Sequence, residues 1–474
     1  MAFFQTTCQN KMTFQNKTST HRMYSTSKSF VSVAIGILIG EGKLRLEDRV
    51  ASFFPDKVPA DLHPWIMRTM VRDLLMMATP HDTNPYGEKD RDWVDTFFQT
   101  PPSHLPGRIF NYNTSATVML LVIVRQITGM EFLDYSRPRL FDPIGISEDI
   151  WCIETPCGHE WGGSGVICTS RDLMKFAQVC LHGGRSGDAQ LIPRDYITAA
   201  TSRQIDNYVE NSDVETQFGY GYQFWCTRNN GFACYGMGSQ LAICLPDQDF
   251  ILVTTADAQA VSTAVSQIFR TLWTEIYPYL VQGDALPENP KEQQRLRNQI
   301  DGLSLLTVQG ESSNPLMNAI HGKTFAMAEN KMGITSLQFL FDLESNDATR
   351  RDPHENRTVH PLLHATQGYL HYENRTGKHM LRFGFGHQVR QEFPETHYHG
   401  KRIGTPADRG FVCQTSAGWP LENSLLVVCY LTDYCFGTLK VNFVFDRNTV
   451  TAVMRKSAEW FLDDYDGFAS GEVS

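Results

Sequence analysis

A serine followed three residues later by a lysine, Ser25-Thr26-Ser27-Lys28, opens an apolar stretch that runs to Ile39. Positions three apart share one face of a helix, so Ser25 Oγ and Lys28 Nζ can meet. A free serine is a weak nucleophile and needs a base beside it. A lysine set against apolar surface gives up its proton more readily, because burial disfavours the charged form. The start of a helix adds a backbone N–H at Ser25 that can face a developing oxyanion. Among the lysines of the chain, only Lys28 has a serine three positions earlier. A serine cap followed by a surface lysine is the competing account, since such pairs also arise by chance in a long chain.

The elements around this pair can be read from pattern. Ser27–Ile39 is apolar nearly all round and stops at Gly40-Glu41-Gly42, which predicts a buried helix. Met67–Met77, Ser115–Thr128 and Arg171–Leu181 also predict helices, the second ending on Gly129. From Phe218 to Thr255 the texture changes. Gly219–Trp225, Gln240–Leu245 and Phe250–Thr255 predict strands, parted by turns at Asn229-Asn230-Gly231 and Pro246-Asp247. Val261–Tyr279 predicts a closing helix. Residues 283–315 are polar and carry Pro287 and Pro290. Beyond about residue 320 the chain is strand-rich: Leu439, Val441, Phe443 and Phe445 alternate with Thr438, Lys440, Asn442 and Val444, Leu425–Leu431 is a second strand, and Met380–Phe385 is a weaker one.

Several stretches, taken together and in order, resemble the class C β-lactamase-related serine hydrolases, a penicillin-binding-protein-like family. They are His21–Phe30 with Gly40–Leu44; Pro106-Gly107-Arg108-Ile109-Phe110-Asn111-Tyr112-Asn113-Thr114; Gly162-Gly163-Ser164-Gly165 with Thr169–Leu173; and Gly219–Trp225 with Gly236-Met237-Gly238-Ser239-Gln240. The likeness covers roughly residues 20–280. It implies catalytic roles for Ser25, Lys28 and Tyr112, whose phenol would relay a proton between Ser25, Lys28 and the leaving group. It implies an oxyanion site from the backbone N–H groups of Ser25 and Met237. Thr114, Tyr235, Gly236 and Gly238 would line the substrate.

Two departures from the family pattern bear on substrate. Thr114 stands where class C β-lactamases carry asparagine, and so resembles the amide hydrolase and esterase branches, whose motif runs Tyr-Asn-Ser. Cys234-Tyr235-Gly236-Met237-Gly238 matches the stretch where true β-lactamases carry Lys-Thr-Gly, so the cation that holds a substrate carboxylate is missing. Arg375-Thr376-Gly377 has the look of a substitute third motif, but it falls in a polar turn of the C-terminal region and is set aside. A third departure is the start, which has about two dozen residues before Ser25 where the family has about two strands and a helix. Either Met1–Lys17 supplies one strand or the beginning is truncated, which would expose a sheet edge.

Composition narrows the function classes. The 474 residues carry a net charge of −10 with no basic run, which excludes a nucleic-acid-binding face. Eleven cysteines without a C-x-x-C pair are expected as small buried thiols, with no disulfide frame or zinc site. No secretory signal is visible and the apolar runs are shorter than a bilayer span, so a soluble cytoplasmic protein without a membrane partner is expected. Glu395, His397 and His399 have metal-ligand chemistry, but an exposed loop after Pro394 is the expected setting. Asp82, after His81, is expected as a turn or cap residue ahead of Asn84-Pro85.

The expected fold is α+β: a β-lactamase/transpeptidase-like antiparallel sheet flanked by helices, an all-helical lobe over roughly residues 45–215, and a C-terminal β-rich domain. The expected division is a hydrolase domain over 1–282, a linker over 283–319 and an accessory domain over 320–474. The expected function is a serine hydrolase that forms an acyl-enzyme on a small-molecule ester or amide, with no cofactor or metal implied. The alternative is a non-catalytic scaffold that keeps the fold and binds partners.

Overall fold

The computed structural model describes residues 20–85, 92–155, 157–208, 214–281, 287–344, 364–395, 410–433, 436–458 and 465–474. They form two compact units, one reaching Leu303 and the other starting at Ser304.

In the first unit the chain enters as strand β1 (Thr20–Arg22), makes a tight turn at Tyr24–Thr26, and continues as helix α1 (Ser27–Gly40). Every residue of α1 from Ser27 to Leu38 is buried. That is the environment an all-round apolar helix requires. Phe30 stacks on Phe176 with ring centroids 3.9 Å apart. Gly36 lets the Tyr196 ring lie across the helix, since a Cβ there would come within 2.3 Å of that ring. Helix α2 (Val71–Leu75) and helix α3 (Thr114–Thr128) pack nearby, and Gly129 closes α3 in a left-handed conformation at φ 72°.

Strands β2 (Trp151–Cys152) and β3 (Val166–Thr169) join β1 in a small antiparallel sheet with β3 central. Helix α4 (Ser170–Leu181) follows, begun by a Thr169–Asp172 capping box. The main sheet is antiparallel, with its strands in chain order: β4 (Trp225–Cys226), β5 (Phe232–Gly236), β6 (Gln240–Leu245) and β7 (Phe250–Thr254). Asn229 and Asn230 both take left-handed φ, 54° and 56°, in the turn between β4 and β5. Ala233, Leu241, Ile243 and Leu252 cover the sheet face that packs on helix α5 (Ala264–Thr271) through Ile268 and Phe269.

Five expectations change in detail. Met67–Met77 is two short helices, Pro64–Met67 and Val71–Leu75, because Met70 turns extended and bridges to Arg49. Gly219–Trp225 is no strand before Trp225: Gln223 sits at φ 64°, and Gly221 runs against the backbone of Ala200. Val261–Tyr279 stays α-helical only over Ala264–Thr271, then loosens into wider and tighter turns ending at Tyr279. The stretch read as a linker carries a helix, Pro290–Asp301, started by Asn289 and with no buried residue. The lobe expected to be helical also holds β2, β3 and a short hairpin at 185–190.

Gln223 is the joint of this unit. Its side chain donates to the carbonyls of Leu74 and Leu75 at 3.0 and 3.1 Å and accepts from Thr117 Oγ1 at 2.7 Å. Its own carbonyl accepts from Ser29 Oγ at 2.8 Å. One residue therefore ties α1, α2 and α3 together, and the hydrogen bonds offset the burial of its polar groups.

The second unit is a ten-stranded sheet of antiparallel neighbours. Parallel pairing of Gly384 and Phe385 with Ser416 and Ala417 closes it into a barrel. Leu439, Val441, Phe443 and Phe445 are buried on one face of their strand, as their alternation predicts. Phe339 meets Phe443 and Phe445 edge-on at 4.9 and 5.4 Å. Among the described residues, no single helix is long and apolar enough to cross a membrane.

Candidate active site

The turn Tyr24–Thr26 is clamped from two sides. Met23 N–H donates to the Val166 carbonyl at 2.8 Å, and Val166 N–H donates to Ser27 Oγ at 3.0 Å. Thr26 Oγ1 donates to the Gln240 carbonyl at 2.8 Å, which fixes the turn to β6. Tyr24 adopts φ 47°, a left-handed conformation unusual for an aromatic residue. The clamps on either side hold it there, and backbone of this kind gathers at functional sites. Between the buried Tyr24 and Thr26, Ser25 keeps part of its surface open.

Lys28 lies one turn on and is 1 % exposed. Its Nζ donates to Ser25 Oγ at 2.9 Å and to the Gly163 carbonyl at 2.6 Å. Burial lowers its pKa to about 7, with the nearby Arg22 charge adding to the effect. Serine and amine thus meet as their spacing predicts.

Tyr112 reaches the same place. Its ring centroid lies 5.1 Å from Lys28 Nζ, and the ring stacks on Trp225 at 5.4 Å. The next residue, Asn113, caps α3: its Oδ1 accepts from Ser115 N–H at 2.9 Å and its Nδ2 donates to the Thr83 carbonyl at 2.7 Å. Thr114 is buried against Gly163, where a Cβ would come 2.4 Å from the threonine methyl. That contact explains the glycine, which must let the 162–165 segment pass close enough to present its carbonyl to Lys28.

The end of β5 completes the cluster. A Cβ on Gly236 would lie 2.2 Å from the Met23 carbonyl oxygen and 3.1 Å from Thr26 N. The strand therefore runs directly against the nucleophile turn, and Met237, 40 % exposed, is the next residue. Gly238 turns the chain at φ 73°. Tyr235 is half-buried with its ring 5.7 Å from Trp225.

Three contributors were not singled out from sequence. Arg22 is fully buried, and its guanidinium donates to the carbonyl and hydroxyl of Ser164 at 2.9 and 3.1 Å. The Gly163 carbonyl receives Lys28. A group of rings, Phe110, Tyr220 and Trp225, backs Tyr112 at centroid distances of 6.4, 6.3 and 5.4 Å. The repeated aromatics of Gly219–Trp225 carried that signal, but their alternation read as strand.

Other candidates lie elsewhere. Arg375-Thr376-Gly377 is the turn between strands His364–Asn374 and Gly377–Phe385 of the second unit. Glu395 is buried, contrary to the exposed loop expected, because the hydroxyls of Tyr372 and Tyr465 and the Asn374 amide hydrogen-bond its carboxylate. His397 and His399 lie outside the described residues, as does the start through Lys17. His81 is buried, and burial lowers its pKa to about 4. Its carbonyl accepts from Asn111, and Asp82 is exposed. Among the described residues, no group of three His, Cys, Asp or Glu is placed to hold a metal ion.

The model of the family described as Beta-lactamase matches residues 9–265, more than half of the chain. A 6-aminohexanoate-dimer hydrolase of Paenarthrobacter ureafaciens is 22% identical over 237 residues, which are 46% of this chain and 60% of the relative. Penicillin-binding protein 4 of Amycolatopsis lactamdurans is also 22% identical over 237 residues, 42% of this chain and 61% of the relative. The match thus spans about 60% of the length of these relatives. Among solved structures, a penicillin-binding protein homologue from Caulobacter crescentus is similar with a TM-score of 0.41 and 17% identity, covering 49% of this chain and 76% of its own. An octameric penicillin-binding protein homologue from Pyrococcus abyssi gives 0.40 and 14%, covering 96% and 89%.

Proposed function

The chain belongs to the Beta-lactamase family, and on that premise we propose that it is a serine hydrolase that opens an ester or amide through an acyl-enzyme at Ser25. The observation that carries this reading is the hydrogen bond of 2.9 Å between Lys28 Nζ and Ser25 Oγ, made by an amine whose pKa burial brings down to about 7. An amine with a pKa near the working pH is an effective general base.

In the proposed sequence, Ser25 Oγ bonds to the substrate carbonyl carbon while its proton passes to Lys28 Nζ. The carbonyl oxygen becomes an oxyanion, received by the backbone N–H groups of Ser25 and Met237. The intermediate collapses by breaking the C–O or C–N bond, and the leaving group takes a proton through Tyr112 and Lys28. Water then adds to the acyl-enzyme, gives its proton to the same amine, and releases the carboxylic acid and free Ser25. Tyr235, Gly236, Gly238 and Thr114 border the substrate. An amide is supported by the relative named for the 6-aminohexanoate dimer. A substrate without a carboxylate beside the scissile bond is supported by Cys234-Tyr235-Gly236, which brings no cation.

The test is a fluorophosphonate probe, followed by mass-spectrometric mapping of the labelled peptide. Labelling of Ser25 is expected, with none in Ser25→Ala and a nearly unchanged thermal transition, since Ser25 is half-buried and its hydroxyl caps no helix. Equal turnover of an activated ester by Ser25→Ala would overturn the mechanism.

A further inference from the structure

Arg22 and Lys28 are both buried, on β1 and α1, and both reach the same two-residue stretch of chain. Arg22 Nε and a terminal nitrogen hold the Ser164 carbonyl and hydroxyl at 2.9 and 3.1 Å. Lys28 Nζ holds the carbonyl of the preceding residue, Gly163, at 2.6 Å. The guanidinium is itself fixed between two rings, 4.5 Å from the Tyr24 centroid and 5.0 Å from that of Trp161. A planar, always-charged group with two directed donors suits this task in a way a lysine would not.

We propose that Arg22 is a positioning residue for the Ser25–Lys28 pair: it fixes the Gly163–Ser164 segment that aims the amine at Ser25, and it sets beside that amine a permanent positive charge that favours its neutral, proton-accepting form. The inference rests on Lys28 acting as the base. Two like charges in a dry site repel, so the ionisable one gives way. The lowered pKa of Lys28 has burial as its first cause and Arg22 as its second.

The other titratable groups near the pair do not reverse the sign. Tyr112 faces Lys28 with its ring. Cys152 on β2 feels the Arg22 charge, but burial pushes its thiol well above the usual range and keeps it neutral. His21, the neighbour of Arg22 on β1, is held neutral by burial with a pKa of about 4. Glu160 and Glu131 act on Cys152, and burial raises Glu160 to about 8.

The experiment is the pH profile of kcat/KM for an activated nitrophenyl ester, measured on the full chain with its wild-type residue, Arg22→Met and Arg22→Lys. In the wild-type chain the acidic limb should have its midpoint near 7. Arg22→Met removes the charge, so the midpoint should rise by about one pH unit. Arg22→Lys keeps a charge but loses the two-pronged grip. Its midpoint should stay within a few tenths of a unit while the plateau falls about tenfold or more. A merely structural arginine would lower the plateau of both variants and leave both midpoints alone, which would overturn the electrostatic role. If Arg22→Met does not fold, Arg22→Gln, which also lacks the charge, carries the same expected rise: an unmoved midpoint there overturns the electrostatic role, and a wild-type plateau in Arg22→Lys overturns the positioning role. Failure of the underlying reading has its own signature, since hydrolysis would then persist in Ser25→Ala.

Discussion

Gly236 and Met23 are so close that a single added carbon on Gly236 would fall 2.2 Å from the Met23 carbonyl oxygen. The obstacle is backbone, held by the Thr26 N–H bond to the same carbonyl at 3.1 Å, so it cannot swing away as a side chain would. Gly236→Ala should therefore push β5 off the nucleophile turn. Overpacking of this kind costs about 1–3 kcal/mol, and fluorophosphonate labelling of Ser25 should slow at least about tenfold. Gly302→Ala, whose nearest neighbour is 3.3 Å away, is the control expected to leave labelling unchanged.

Lys28 should weaken the fold that it serves. With a pKa of about 7 in the folded chain, against 10.5 ordinarily, the unfolded chain binds more protons between those values. Stability tied to this group therefore rises as pH climbs from 7 towards 10.5, and the penalty is complete below 7. Lys28→Met should abolish hydrolysis and raise the unfolding free energy at pH 6 by about 2–3 kcal/mol more than at pH 9. Denaturant titrations of both proteins at the two pH values measure the difference. An equal change at both pH values would mean that Lys28 is not neutralised in the folded site.

The stretch Cys234–Gly238 matches the one from which a family β-lactamase presents a lysine, and it carries none. With no cation there, a chromogenic cephalosporin should turn over far more slowly than a short-chain nitrophenyl ester, by about a hundredfold or more. Side-by-side assays decide this, and faster turnover of the cephalosporin would show that the 234–236 stretch recognises carboxylates by other means.

The barrel unit should contribute no reacting group, because Ser25, Lys28, Tyr112 and Met237 all precede the break at Leu303. A fragment ending near residue 303, made by limited proteolysis or expressed directly, should retain its thermal transition and label at Ser25. A folded fragment that fails to label would assign part of the site to the second unit.

How far the sequence spoke depended on distance along the chain. Ser25 and Lys28 were legible because the helix repeat alone brings them together. Tyr112 and the glycines at 236 and 238 were legible only through their order along the family pattern. Arg22 was not, since its partner Ser164 lies 142 residues away and no local rule joins them. Gly219–Trp225 misled because alternating glycine and aromatic residues mimic a strand, while the left-handed turn at Gln223 is held by Leu74, Leu75 and Thr117 from distant helices. Glu395 misled because the two phenols that stabilise it underground, Tyr372 and Tyr465, are 23 and 70 residues from it.

The cover of α1 is a matter of timing as well as of packing. The helix and the turn before it are synthesised well ahead of their polar clamps, which come from Val166, Gln223 and Gln240. At translation speeds of about 5–20 residues per second, roughly 10–40 s pass between its emergence and that of β6. Throughout that interval the nascent chain lacks the residues that cover this apolar helix.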